Sequence, residues 1–94
     1  MSDFDESSEL STGPLRVLAN AVENNDTVLV SLRNNHRLVA KVKAFDRHCN
    51  MILEKVKELW HEQQGNNKVL RERYVAKMFL RGDSVVLVLK HIPE

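Results

Sequence analysis

The sequence is poor in the residues that most often announce chemistry. It holds one cysteine, Cys49, together with three glycines, two prolines and four histidines. A lone cysteine forms no internal disulfide and suits a reducing intracellular compartment. With four scattered histidines it gives no tetrahedral zinc spacing, and no HExxH occurs, so no metal site is expected. Glycine stands only at 13, 65 and 82, which leaves no room for a Walker-type phosphate loop or a GxGxxG turn. No apolar run approaches the roughly 20 residues needed to cross a bilayer, so no membrane span is expected. The first residues, MSDFDESSEL, are acidic and polar, unlike a secretory leader. The formal net charge of +1 argues against the broad basic field of a non-specific duplex binder.

What is present reads as one domain. Ninety-four residues with 43% hydrophobic content suffice for a single modest core. The charge is uneven. Residues 1–10 carry Asp3, Asp5, Glu6 and Glu9 and no base, leaving nine acidic against fourteen basic residues in the remainder, a net +5. Residues 1–12 are expected to be a flexible acidic tail.

Hydrophobic periodicity then changes along the chain. Leu15, Leu18, Ala19 and Val22 recur at helical spacing after Gly13-Pro14, where proline fits a first helical turn. A helix over 13–25 follows, ended by the Asn-rich stretch before Asp26. Val28, Val30 and Leu32 alternate with Thr27, Leu29, Ser31 and Arg33, and Asn34-Asn35 marks a tight turn. Leu38, Ala40, Val42 and Ala44 share one strand face, with Lys41 and Lys43 on the solvated side. In MILEKVKELW, Met51 and Leu53 share a parity that Val56 does not, which indicates a bulge or a bend. Residues 61–68, HEQQGNNK, have no apolar member and are expected to loop. Trp60 is expected in the core or as a rim contact with a neighbour, and His36, His61 and His91 on the surface.

Val85 to Leu89 is apolar without alternation, and such a strand needs cover on both faces. The expected fold is mainly β: a short N-terminal helix, then about five bent antiparallel strands curled into a small barrel.

Two polar interruptions join apolar strands. In the first, Asp46-Arg47-His48-Cys49-Asn50, the Asn50 amide offers a donor and an acceptor that match the edge of uracil. Imidazole and guanidinium planes stack on unpaired bases, which suits His48 and Arg81. Asp46 could accept hydrogen bonds from its own loop backbone. In the second, Arg81-Gly82-Asp83, glycine would supply a conformation closed to other residues and let Arg81 project. Aspartate, asparagine, glycine and arginine are also ordinary turn residues, so pattern alone leaves both interpretations open. A His48-Cys49 nucleophile is not supported, because strand neighbours face opposite ways and no oxyanion-hole motif accompanies them. No enzyme, cofactor or small-molecule substrate is expected.

LVAKVKAFDRHCNMILEKVKELW, followed by KMFLRGDSVVLVL, resembles the two-part signature of the Sm family, and FDRHCNM is nearest its spliceosomal D-type members. The resemblance covers nearly all of residues 13–92, with a first motif in 26–60, a variable loop at 61–68 and a second motif in 69–92. It implies a helix on a strongly bent five-stranded antiparallel barrel. It further implies a seven-membered ring with other Sm proteins, D-type and F-type neighbours among them, around a uridine-rich single strand of small nuclear RNA. By the family pattern His48 and Arg81 stack on a base, Asn50 reads its edge, Gly82 shapes the second loop and Arg47 meets phosphate. Asp46 and Asp83 support the two loops. Subunit contacts fall on Tyr74, Val75, Met78, Phe79 and Leu80, and on Val85, Val86, Leu87, Val88 and Leu89. A role in pre-mRNA splicing follows, with nuclear location after cytoplasmic assembly. The alternative is a Sm-like ring subunit in messenger RNA decay or another RNA pathway.

Overall fold

In the computed structural model, residues 13–92 are described, and the acidic tail expected at 1–12 lies outside them. Helix α1 spans Gly13–Asn24. Leu18 and Ala21 are its fully buried members, with Leu15 and Val17 packed alongside. Val22, expected on the buried stripe, is exposed, and the small Ala21 takes the inward place, allowing close approach to the sheet. Asn25, in the left-handed region at φ 56°, stops the helix. Lys41 reaches this end from β2 and donates through Nζ to the Asn25 carbonyl at 2.6 Å, a cation placed at the negative pole of the helix dipole.

Five strands follow: β1 (Thr27–Leu32), β2 (Arg37–Phe45), β3 (Met51–Gln64), β4 (Asn67–Leu80) and β5 (Val85–Lys90). They form one antiparallel sheet in the order β4-β3-β2-β1-β5, so β4 and β5 stand at its two ends. Helix α1 lies over β5, β2 and β1. The core draws one face from each strand, with Val28, Val30, Leu38, Met51, Leu53 and Val56 at 0–1% exposure. Ala44, expected on that face, is exposed, because the β2–β3 register shifts between Val42 and Ala44.

The parity slip in β3 is a bend at Lys55, whose φ of 54° is left-handed. Met51 and Leu53 point inward before it, and Val56 and Glu58 after it. A second register shift between Val39 and Lys41 accommodates the bend on the β2 side.

Residues 61–68 are not a loop. The β3–β4 ladder runs unbroken in register from Met51 opposite Leu80 to Gln64 opposite Asn67, closed by a two-residue turn at Gly65-Asn66. Gly65 adopts φ 59°, as such a turn requires. Both faces of this hairpin end are exposed, so its strands carry no apolar alternation, and backbone pairing defines them.

Candidate nucleic-acid interface

Between Phe45 and Met51 the chain reverses in five residues, which Asp46 organises. Its amide donates to the Asn50 carbonyl (3.1 Å), and its carbonyl accepts from the Cys49 amide (3.0 Å). One carboxylate oxygen accepts from the amides of His48 (2.8 Å) and Asn50 (3.1 Å), and the other from the Asn50 side chain (3.0 Å). These bonds, led by the Asn50 side chain, hold the Asp46 carboxyl below its usual range. Cys49 occupies the left-handed region at φ 66°, which lets the turn close. Burial, with the nearby Asp46 charge, pushes the Cys49 thiol up, away from nucleophilic use.

The second loop meets the first through Asn50. Its Oδ1 accepts from the Gly82 amide at 2.7 Å while its Nδ2 donates to Asp46. The amide orientation is therefore fixed by chemistry on both sides, and one N–H and one lone pair stay unspent. Gly82 opens a short 3-10 turn, Gly82–Ser84, and its φ is not left-handed. Glycine is needed here for space, because a Cβ would lie 1.8 Å from the His48 carbonyl oxygen. The expectation of a special backbone conformation is corrected accordingly. Asp83 pairs with Arg81 through its carboxylate (3.2 Å), while its carbonyl accepts from Arg33 Nε (2.7 Å). Arg33, whose amide also donates to the Ser84 carbonyl (2.9 Å), is a support the sequence pattern did not reveal.

The two loops enclose an open cavity of about 350 Å³ lined by His48, Asn50, Arg81, Gly82 and Asp83. His48 and Arg81 are exposed at its mouth. Arg47 is exposed on the same loop but lies outside the lining.

The apolar residues of the end strands divide. Tyr74, Phe79, Val86, Leu87 and Leu89 are exposed, and Val75, Met78 and Val85 are half-buried against the core. Leu80 and Val88, grouped with them in the sequence, turn inward at 8% and 2% exposure. They are core side chains, withheld from a neighbour. Ile52, directly across the ladder from Phe79 and also exposed, extends the apolar surface. Its parity, opposite to Met51 and Leu53, was the available signal.

The LSM-domain family model matches residues 18–90. The chain belongs to the LSM-domain family. Small nuclear ribonucleoprotein Sm D2 of Saccharomyces cerevisiae is 56% identical over 82 residues, covering 87% of this chain and 74% of that one. The probable small nuclear ribonucleoprotein Sm D2 of Caenorhabditis elegans is 53% identical over 93 residues, covering 92% and 79%. The Sm-like protein LSM3A of Arabidopsis thaliana is 35% identical over 81 residues, covering 80% and 81%. Among solved structures, a heptameric archaeal Sm protein superposes with a TM-score of 0.59 at 27% identity, covering 83% of this chain and 98% of that one.

A second cluster of this LSM-domain chain lies around the first hairpin turn. Trp60 lies outside the core, which removes the first of its two expected placements, and stacks on His36, with centroids 5.0 Å apart and planes 8° from parallel. His36 Nδ1 meets Glu58 at 2.6 Å, and Arg73 donates to the other Glu58 oxygen at 2.6 Å. Burial raises the Glu58 carboxyl, and the His36 and Arg73 bonds outweigh it, leaving a net lowering. His36 is thus a half-buried network member rather than a bare surface residue. The signal for Glu58 was its shared parity with Val56 beyond the Lys55 bend.

Proposed function

We propose that this chain is a core subunit of spliceosomal small nuclear ribonucleoproteins. It pairs with other Sm proteins, D-type and F-type neighbours among them, in a seven-membered ring around uridine-rich single-stranded small nuclear RNA, and so supports pre-mRNA splicing. The role is binding, carried out in the nucleus after assembly in the cytoplasm.

The observation that carries the RNA site is the Asn50 amide. Clamped between Asp46 and Gly82, it keeps one donor and one acceptor, the complement of the N3–H and O4 edge of uracil. His48 and Arg81 border the same cavity and offer planes for stacking on that base. Arg47, exposed beside the cavity's first loop, is the residue assigned to phosphate. The exposed Tyr74, Phe79, Val86, Leu87 and Leu89, on the two strands that end the sheet, are the contacts assigned to neighbouring subunits. The 56% identity to yeast Sm D2, against 35% to the Sm-like protein LSM3A, favours the spliceosomal role over messenger RNA decay.

The test is loading of a uridine-rich oligomer onto the assembled ring carrying His48→Ala with Asn50→Ala. Weakened loading and a relaxed preference for uridine are expected. Unchanged affinity and preference would overturn the assignment, and co-purification of neighbours decides between the two pathways.

A further inference from the structure

We propose that the cavity beside the His36–Trp60 stack is a second RNA subsite, which takes a nucleotide flanking the one held at His48, Asn50 and Arg81. The inference rests on the function proposed above. This second cavity measures about 450 Å³ and is lined by Asn34, Asn35, His36, Trp60, His61, Glu62, Gln63 and Lys68. That volume lies within the roughly 300–1,000 Å³ of small-ligand sites.

Its chemistry suits an unpaired nucleotide. The stack supplies an aromatic platform held rigid on both sides. His36 is fixed by Glu58, and the Trp60 indole N–H donates to Glu62 at 3.1 Å. Bases stack on such planes without regard to sequence. The Asn34 oxygen is engaged by the His36 amide (3.0 Å) and Gln63 Nε2 by the Gly65 carbonyl (2.9 Å), so the Asn34 amide nitrogen, the Gln63 oxygen and the Asn35 side chain are left to meet a ligand. The acidic member, Glu62, has its charge engaged by Trp60 and by Arg71 at 3.2 Å, and these bonds hold its carboxyl below the usual range. Lys68, exposed and without an ion pair among the described residues, is left to face a phosphate.

Arg33 ties together the segments that border the two cavities. Arg33 precedes the turn that carries Asn34, Asn35 and His36, and it is bonded to Asp83 and Ser84. Asp83 lines the first cavity and Asn34, Asn35 and His36 line the second, so Arg33 marks the direction a strand would take from one to the other.

The experiment compares a bare uridine-rich core oligomer with one extended by several nucleotides on either end, both bound to the complete ring. The extension is expected to add about tenfold in affinity. His36→Ala in this subunit should remove that gain and leave affinity for the bare core unchanged. His36→Phe, which keeps a plane, should restore it. Trp60 is this chain's one tryptophan, so 5-fluorotryptophan introduced in this subunit alone reports on the site directly. Its fluorine resonance should move with the extended oligomer and stay in place with the core. An extension that adds nothing, or a gain that survives His36→Ala, overturns the subsite while leaving the first site standing. A resonance that moves on ring assembly and no further on RNA assigns the cavity to a neighbouring subunit and also overturns it. A wild-type ring that ignores even the core removes the earlier proposal and this one together.

Discussion

The carbonyl oxygen of His48 occupies the place that a side chain at Gly82 would need, 1.8 Å from the ideal Cβ position. The obstacle is backbone from the other loop, which cannot rotate away as a side-chain tip would. Gly82→Ala should therefore cost roughly 1–3 kcal/mol and separate the loops enough to weaken RNA loading. Gly65→Ala is the control. It meets nothing within 4 Å but sits at φ 59°, so it should cost about 1–2 kcal/mol of backbone strain and leave RNA binding intact. Thermal unfolding and oligomer titration of the two variants in the ring separate the effects.

Asp46 tests whether the first loop must be built before it can bind. Asp46→Ala removes three acceptor contacts at once, so uridine affinity should fall about as far as with Asn50→Ala although the aspartate touches no base. The depressed Asp46 carboxyl gives the sign of the pH dependence. A group lowered on folding contributes fully above its ordinary pKa and is lost only as pH falls through the lower folded value. Loop order, followed by the His48 and Asn50 amide resonances, should survive acidification through the ordinary aspartate range.

Glu58 is the buried acid of the molecule's other network. Glu58→Gln keeps the shape and removes the charge shared by His36 and Arg73, and should cost about 1.5–3 kcal/mol at neutral pH, the worth of charged hydrogen bonds. The wild-type advantage is present above the ordinary glutamate range and shrinks as pH falls through the depressed folded value. Denaturant midpoints of both proteins across pH 3 to 7 check that the curves converge on the acid side. Divergence there would contradict the network.

Much of this could be read from residue order, and the gaps have physical causes. Local period placed the helix within a residue of its end and located the β3 bend, because Val56 breaks parity with Leu53. Period failed where one neighbour displaced another, as when Ala21 took the inward place from Val22. It failed again at 61–68, where a hairpin with two wet faces needs no apolar residue to be a strand. The Asp46–Asn50 loop was legible as chemistry, but the bond from Gly82 to Asn50 spans 32 positions and only the folded chain creates it. The His36–Trp60 stack escaped for a similar reason, since it joins the turn before β2 to β3 across 24 positions.

The surface assigned to neighbours gives a further outcome. Val86→Glu, on an exposed residue of β5, should leave the chain folded but block its pairing with an adjacent subunit. Val88→Glu, at 2% exposure, should unfold it. Native mass spectrometry of each variant mixed with partner subunits, beside circular dichroism, distinguishes lost assembly from lost fold.

The strand order β4-β3-β2-β1-β5 has a consequence for how any head-to-tail assembly of such chains grows. Each member brings one unsatisfied edge at either end, and joining two members uses up one of each. An arc of two therefore exposes the same pair of raw edges as an arc of six, so growth does nothing to relieve that cost. Closure removes both at once. The reward for completing the circle falls entirely on the last contact, which makes the finished ring persist while every shorter arc stays reversible.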